Sequence, residues 1–221
     1  MGMNVLIRGN ESHLAEFTAK FPDLPFDTDG DYSTSIDLNV YPFIFDFYID
    51  DSLENLESYI GYPGALLLNS VKSSLIEYLN FAGHQLNGTI IGFNGLPTFF
   101  NREILECTVI DEKGKQRLKE AADFLGFKYV SVEDRVGMVT PRVVFMIINE
   151  AYFTVQEGTA TRDDIDRAMK LGTNYPYGPF EWAKRIGISH VYELLDAVYN
   201  DTRDERYKIC PLLKREYLEA N

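Results

Sequence analysis

The sequence lacks the features that mark exported, membrane-bound and metal-binding proteins. It has two cysteines, Cys107 and Cys210, among 221 residues, too few and too far apart for a disulfide framework or a metal knuckle. No apolar run approaches the roughly 20 residues that span a bilayer, and residues 1–9 lack the basic start and apolar centre of a signal peptide. We therefore expect a cytoplasmic protein with reduced thiols, no metal site and no membrane partner.

Basic residues are also scarce. The chain has 21 Lys and Arg against 34 Asp and Glu, a formal net charge of −13. Such a charge repels phosphate backbones, and no locally basic patch offsets it. We therefore expect no nucleic-acid partner.

What the chain does have is a hydrophobic content of 45%, enough for a buried core in one domain or two small ones. Up to residue 135, short apolar runs alternate with amphipathic segments, which predicts strands and helices in α/β layers. Beyond that point the strand pattern ends, and apolar residues recur at helical spacing. We therefore predict two domains, residues 1–135 and residues 136–221.

The individual elements follow from the same patterns. A run of turn-forming residues, 22–39, has room for one short edge strand. The predicted strands are 3–9, 40–49, 65–68, 89–93, 105–110 and 128–132. The predicted helices of the first domain are 11–21, 53–60, 73–81 and 116–125.

The segment 161–187, TRDDIDRAMKLGTNYPYGPFEWAKRIG, carries the most specific pattern in the chain. Thr161 can cap a helix while Asp164 returns the bond, and Gly172 can end that helix in a left-handed conformation. A proline-glycine turn then leads into a second helix. Turn chemistry by itself predicts a helical hairpin.

The whole string closely resembles the DID-x-AMK-x-G-x-x-x-P-x-GPFE-x-x-x-x-IG segment of the 3-hydroxyacyl-CoA dehydrogenases. Other segments are similar to the family's VIEAVVED, ILASNTSSLSITEL, FFNPVPVMKLVEV, GFIVNRLL-x-x-x-INEA and DPRY...PLL stretches, namely residues 43–51, 66–79, 92–107, 137–151 and 204–213. The resemblance implies an α/β plus all-α fold. A reduced Rossmann-like domain would precede a helical domain like the C-terminal domain of 6-phosphogluconate dehydrogenase.

The resemblance also implies a chemistry. The family moves a hydride from the 3-hydroxyl carbon of an acyl-CoA to NAD, with a histidine as proton acceptor and a glutamate that orients it. An imidazole suits this task because its ordinary pKa lies near neutrality. Alignment on FFNPVP puts the histidine at Ile91 and the glutamate at Glu106, with three extra residues between them. Without its partner, Glu106 is predicted to be a vestige, an exposed strand glutamate.

Two further groups hold the substrate oxygen in the family, an asparagine and a serine. The asparagine of GFIVNR aligns with Pro141, which has neither an amide side chain nor a backbone donor. Ser73 is the candidate for the serine, although the register leaves Ser70 and Ser74 open and all three can cap a helix. These departures predict a degenerate active site.

NAD is the cofactor that the resemblance implies. Where the family reads G-x-G-x-x-G/A, this chain offers Gly9 alone, so NAD binding is doubtful. Gly9 and Asp46 are the candidate contacts, with Asp27 or Asp29 as the acid for the ribose. The stretch between Gly9 and Val40 is about half of what two further βα units need, which predicts that part of the adenine half is missing.

Two functions remain open on these grounds. The first is a catalytically silent or strongly impaired homologue that serves as a binding or assembly protein, a homodimer through helices 142–156 and 190–199, with acyl-CoA as a candidate ligand. The second is an active NAD-dependent oxidoreductase of fatty acid metabolism, which would use water or His84 as a non-standard proton acceptor. His13 and His190, the other histidines, are predicted to be surface or capping residues.

Overall fold

The computed structural model describes residues 4–83 and 85–220, which fold as two compact units. The first unit ends at Met138 and the second begins at Val139. The predicted boundary after residue 135 therefore lies three residues before the structural one. Within the described ranges, no helix has the length and apolar character needed to cross a membrane.

A seven-stranded sheet forms the centre of the first unit, as far as the structure describes it. Its strands are β1 (Val5–Arg8), β2 (Phe26–Thr28), β3 (Phe43–Asp46), β4 (Ala65–Asn69), β5 (Thr89–Phe93), β6 (Ile104–Thr108) and β7 (Lys128–Val132). The order is β2-β1-β3-β4-β5-β6-β7, and every neighbouring pair is parallel except β5 and β6.

The direction in which the sheet grows reverses after β2. That strand pairs with one side of β1, and β3 to β7 extend from the other side. Such a reversal leaves a crevice outside the carboxyl ends of β1 and β3, where open α/β sheets bind ligands. The usual doubly wound order has two strands beyond β1, whereas β2 is the single one here among the described residues. The sheet thus agrees with the predicted loss of part of the adenine half.

Among the described residues of this unit, three helices flank the sheet, α1 (Glu11–Lys20), α2 (Leu75–Phe81) and α3 (Glu112–Leu125). A fourth helix was predicted at 53–60, but Leu53–Tyr59 forms 3-10 turns. Leu56 and Tyr59, its buried residues, are three apart, a spacing that suits a 3-10 helix as well as an α-helix.

The two faces of the sheet have different cores. One face is rich in phenylalanine, where Phe45 packs against Phe17 of α1 and against Phe93, and Phe93 packs against Phe100. The other face carries buried tyrosines with the aliphatic residues of β1, β3 and β4. Because successive strand residues point to opposite faces, this division follows the period of two along each strand.

The second unit is helical throughout the residues that the structure describes. Its helices are α4 (Thr140–Gln156), α5 (Arg162–Thr173), α6 (Pro179–Ile186), α7 (Ile188–Thr202) and α8 (Pro211–Ala220). Its core contains Phe145, Ile148, Trp182, Leu194 and Leu213.

The helical hairpin 161–187 is present, with one difference from the prediction. Thr161 caps α5 by accepting from the Asp164 backbone N–H at 3.2 Å. The prediction that Gly172 ends the helix was wrong, because α5 continues to Thr173 and Asn174 takes the left-handed conformation, with φ of 56°. Asparagine is the residue after glycine that most readily ends a helix in this way.

Asp166 in α5 explains why a glycine precedes Pro179 at the start of α6. Asp166 accepts from the backbone N–H groups of Phe180 and Glu181, at 2.8 and 3.0 Å, and so caps α6 from the preceding helix. A Cβ at Gly178 would lie 2.3 Å from the Asp166 carboxyl carbon. The DID and GPFE parts of the string therefore form one interhelical cap.

Candidate functional site

Four buried polar residues lie together at the carboxyl ends of β4 and β5. This carboxyl-edge cluster consists of Asn69, Ser70, Asn94 and Glu106. Asn69, Ser70 and Asn94 lie close together because β4 and β5 are parallel and end at the same edge of the sheet. Glu106 joins them because β6 runs antiparallel to β5, with Phe93 paired to Cys107.

Asn94 and Glu106 face each other as a hydrogen-bonded pair. The amide nitrogen of Asn94 donates to Oε2 of Glu106 at 3.1 Å, and the Asn94 backbone N–H donates to the Glu106 carbonyl at 3.0 Å. The amide oxygen accepts from the backbone N–H of Leu96 at 3.3 Å, which fixes the orientation of the amide. With 8% of its surface exposed, Glu106 is not the exposed strand glutamate that was predicted.

Ile91 lies elsewhere. Its side chain is fully buried in the phenylalanine-rich core with Phe93. The strand register that pairs Phe93 with Cys107 brings Asn94, rather than Ile91, opposite Glu106. The structure therefore separates the two positions that the alignment on FFNPVP would have joined.

Asn69 ties three strand ends together. Its Oδ1 accepts from the Gly95 backbone N–H at 2.9 Å, and its Nδ2 donates to the Phe47 carbonyl at 3.4 Å. The neighbouring Ser70 hydroxyl is buried without a hydrogen-bond partner among the described residues. A Cβ at Gly92 would lie 2.2 Å from that hydroxyl, so only glycine fits there.

The turn between β4 and α2 contains Ser73, the predicted substrate serine. The backbone N–H groups of Val71, Lys72 and Ser73 all donate to the Asp50 carboxylate, at 2.6, 2.8 and 3.1 Å. The Tyr78 hydroxyl donates to the same carboxylate at 2.6 Å. Burial nevertheless raises the pKa of Asp50 to about 6, against the effect of these donors.

Ser74, one of the alternatives to Ser73, is the N-cap of α2. Its hydroxyl accepts from the Glu77 backbone N–H at 3.2 Å. Asp134 accepts from the Leu75 and Ile76 backbone N–H groups at 2.8 and 3.1 Å. This turn and helix end therefore donate to the chain's own carboxylates.

A second buried cluster lies at the carboxyl ends of β1 and β3. We call Arg8, Asp29, Tyr32, Asp46 and Tyr59 the switch-point cluster. Nε and Nη2 of Arg8 donate to Asp29 at 3.1 and 2.8 Å, and the guanidinium lies over the rings of Tyr32 and Tyr59, 4.2 and 4.8 Å from their centroids. Arg8 is 1% exposed.

Asp46, a predicted cofactor contact, is fully buried in this cluster. Its carboxylate accepts from the hydroxyls of Tyr59 and Tyr32, at 2.6 and 2.8 Å, and from the Tyr48 backbone N–H at 2.8 Å. Burial raises the pKa of Asp46 above its ordinary value. Of the two acids suggested for the ribose, Asp29 pairs with Arg8, and Asp27 accepts from the Tyr41 hydroxyl.

Gly9 and His13 lie where β1 leads into α1. The Asn10 backbone N–H donates to Nδ1 of His13 at 3.2 Å, and the His13 backbone N–H donates to Oδ1 of Asn10 at 3.1 Å. The His13 ring stacks on Phe47 with 4.6 Å between centroids. A Cβ at Gly9 would lie 2.8 Å from Cβ of His13. The missing side chain at Gly9 therefore makes room for His13 of the same chain.

The remaining predicted positions are spread over the chain. Pro141 is the second residue of α4, in a first helical turn where its missing N–H leaves no bond unmade. His190 lies in the first turn of α7 and is half-buried. His84 falls outside the described residues.

Comparison with known proteins gives the family. The family model of the 3-hydroxyacyl-CoA dehydrogenase C-terminal domain matches residues 137–221. A probable 3-hydroxybutyryl-CoA dehydrogenase of Bacillus subtilis is 34% identical over 127 residues, 58% of this chain. Residues 137–221 form a 3-hydroxyacyl-CoA dehydrogenase C-terminal domain, and the chain is similar in sequence to members of that family.

Other family members match over different lengths. The 3-hydroxyadipyl-CoA dehydrogenase of Escherichia coli is 42% identical over 93 residues, 42% of this chain and 20% of that one. The match to the Bacillus subtilis protein covers 44% of that protein. The aligned part of this chain therefore spans less than half the length of either of these two relatives. Mycobacterium tuberculosis FadB2 has a TM-score of 0.78 at 18% identity, over 99% of this chain and 94% of that one, which shows a shared fold.

At the carboxyl-edge cluster, the residue that sequence reasoning missed is Asn94. A signal for it was available, since Asn94 precedes Glu106 by 12 residues. In the quoted motif, the histidine before FFNPVPVMKLVEV also stands twelve positions ahead of the glutamate. Arg8, Tyr32 and Tyr59 carried no such signal, because their contacts join distant parts of the chain.

Proposed function

We propose that the protein is a 3-hydroxyacyl-CoA dehydrogenase homologue with silent or strongly impaired catalysis, acting as a binding or assembly protein. The observation that carries the proposal is the pair Asn94 and Glu106. The buried carboxylate, which in the family orients a base, receives a hydrogen bond from an amide. An amide does not accept a proton at neutral pH, so the group it aligns with has lost its chemistry.

The other positions support the same proposal. Pro141 has no hydrogen-bond donor that could hold a substrate oxygen. His13 is engaged at the start of α1, where Nδ1 accepts a backbone N–H. Loss of a general base typically lowers a rate by about 10²- to 10⁴-fold.

NAD is the family's cofactor, and the residues at the switch point do not fit a dinucleotide. The α1 N-terminus, whose free N–H groups would meet the pyrophosphate, is capped by Asn10 and His13. Phe47, beyond the end of β3, stacks on the His13 ring. Asp29, a candidate for the ribose, already holds Arg8. These contacts support a protein that does not use NAD.

Turnover tests the proposal directly. With NAD and 3-hydroxybutyryl-CoA, we expect no enzyme-dependent rise in NADH absorbance. The chain has no base at the family's position, and its switch-point residues do not fit NAD. The Bacillus subtilis relative, assayed in parallel, controls for substrate and conditions. Turnover at a rate comparable to that control would establish the alternative, an active oxidoreductase. Loss of that turnover in His84→Ala would identify His84 as the proton acceptor.

Ligand binding can persist without turnover, and acyl-CoA is the candidate ligand. Binding to the native state raises the melting temperature whether or not a reaction follows. Titration with NAD, acetoacetyl-CoA and free CoA in the same assay therefore separates binding from assembly. A shift with acetoacetyl-CoA supports a binding role, and no shift with any of the three supports assembly.

We propose a cytoplasmic location, in keeping with two buried thiols, Cys107 and Cys210.

We further propose a homodimer through the helical unit. A groove of about 590 Å³ between α4 and α5 is lined mostly by apolar side chains, among them Val143, Met146, Ile147, Ile165 and Met169. No residue of α5 is buried, and Val143 of α4 is 55% exposed. An apolar surface of this kind marks an interaction site.

A second copy is the occupant that the charges favour. Arg142 and Arg206 line the groove together with Glu150, so a two-fold related copy can bring opposite charges together. The groove also includes the helix 142–156 on which the dimer was predicted from the family resemblance.

Light scattering after size exclusion measures this directly. We expect a dimer for the wild type and a monomer for Val143→Glu, because a charge at an exposed apolar contact weakens association without disturbing the monomer core. Leu218→Glu is the matched control, since Leu218 is 63% exposed on α8, outside the groove. A wild-type monomer, or a dimer that survives Val143→Glu, argues against this interface.

A further inference from the structure

We propose that Asn94 occupies the position of the family's proton acceptor and that Glu106 is its retained orienting partner. This inference rests on the proposed function, because it explains how the site lost its base. It assigns the loss of the family's histidine to Asn94 instead of Ile91, and it identifies Asn94 as the partner of Glu106.

Spacing is the first ground. Alignment on FFNPVP needs a three-residue insertion between the histidine position and Glu106. Counting back 12 residues from Glu106 reaches Asn94, and no insertion is needed. The two alignments cannot both hold, and strand register decides between them, because the pairing of Phe93 with Cys107 brings Asn94 opposite Glu106.

Burial is the second ground. The Ile91 side chain is fully buried among the apolar residues of the phenylalanine-rich core. An imidazole there would lie in an apolar setting that disfavours its charged form. Asn94 lies beyond the end of β5, at the carboxyl edge where open α/β sheets bind ligands.

Hydrogen bonding is the third ground. A histidine oriented by a carboxylate donates one ring N–H to it and keeps the other nitrogen as the acceptor. Asn94 retains the donor half of that arrangement, with Nδ2 at 3.1 Å from Glu106. Its oxygen accepts from the Leu96 backbone N–H. The substitution therefore keeps the pair and removes the basic nitrogen.

The test introduces the imidazole. In Asn94→His, we expect the ring to donate to Glu106, and its pKa, followed by NMR, to be raised by the carboxylate. In Asn94→His combined with Glu106→Gln, we expect that pKa to fall, with a proton affinity at least about tenfold lower. Equal pKa values in the two variants would overturn the proposal.

Ile91→His is the matched control, since it places the imidazole where the motif alignment puts it. We expect its titration to be indifferent to Glu106→Gln. Coupling to Glu106 at that position, and none at Asn94, would restore the earlier alignment.

If the imidazole prevents folding, Asn94→Asp retains the size of the side chain. Two facing carboxyls cannot both ionise freely, so we expect one of them to titrate at a raised pKa by carbon NMR. Independent, ordinary titrations would contradict the pairing. These readouts need no turnover, so wild-type activity would refute the proposed function without bearing on them.

Discussion

Replacing Arg8 by methionine is expected to lower the free energy of unfolding of the first unit by about 3–5 kcal/mol, since this leaves a buried carboxylate without its cation. Asp29 would lose its ion pair at 2.8 Å, and Asp46, whose pKa burial raises and the Arg8 charge partly lowers, would be harder still to ionise. Urea unfolding followed by circular dichroism measures the loss, and amide hydrogen exchange of β1 and β3 assigns it to this unit.

Arg215→Met is the matched control, because Arg215 pairs with Glu219 in α8 with both side chains largely exposed. Because solvent screens such an exposed ion pair, it contributes little to stability, and we expect no resolvable change in the free energy of unfolding. Arg8→Lys separates charge from shape, since it keeps the cation but not the planar fork between the tyrosine rings. A stability of Arg8→Met equal to that of the wild type would show that the switch-point cluster is incidental to folding.

Local pattern predicted most of the strands. The apolar runs at β5 and β7 gave Thr89–Phe93 and Lys128–Val132 with the bounds that the structure has. Helix ends were less accurate, because one cap can be replaced by another, as Gly172 is by Asn174. In the helical hairpin, Asp166 acts across two helices, and this is not visible from spacing within either one.

The candidate site was harder to predict, because its geometry depends on pairing between distant segments. The alignment on FFNPVP matched letters near Phe93, but the partner of Glu106 is set by the antiparallel register of β5 and β6. The switch-point cluster is a stronger case. Arg8 meets Asp29 across 21 positions and Ser58 across 50, and nothing in the local sequence announces either contact.

The carboxylates of Asp46 and Asp50 share one physical feature. Asp46 and Asp50 align with the two glutamates of the family's VIEAVVED stretch, and each shorter side chain accepts hydrogen bonds from donors of the chain itself. A carboxylate that accepts from backbone N–H and tyrosine hydroxyl groups orders the loops that carry those donors. The carboxyl edge that elsewhere binds ligands is therefore stabilised here by internal hydrogen bonds, which suits a protein retained for its fold and surfaces.

Asp50→Ala is expected to destabilise the first unit by about 3–5 kcal/mol near pH 5, because it leaves buried donors without an acceptor. Three consecutive backbone N–H groups and the Tyr78 hydroxyl lose their shared partner. Urea unfolding at several pH values measures the loss.

The size of this loss should depend on pH, in a direction fixed by the pKa of Asp50. Burial raises that pKa from 3.8 to about 6, so between these values the folded state holds a proton that the unfolded chain has released. The stabilisation is fully present below the unfolded pKa and is lost as pH rises through the folded pKa, by up to about 3 kcal/mol. The gap between wild type and Asp50→Ala should therefore narrow from about pH 4 to about pH 6.5. Asp51→Ala removes a neighbouring, half-exposed carboxylate and is the matched control for the loss of one negative charge. A gap for Asp50→Ala that widens with rising pH would mean that the four donors outweigh burial and hold the pKa of Asp50 down.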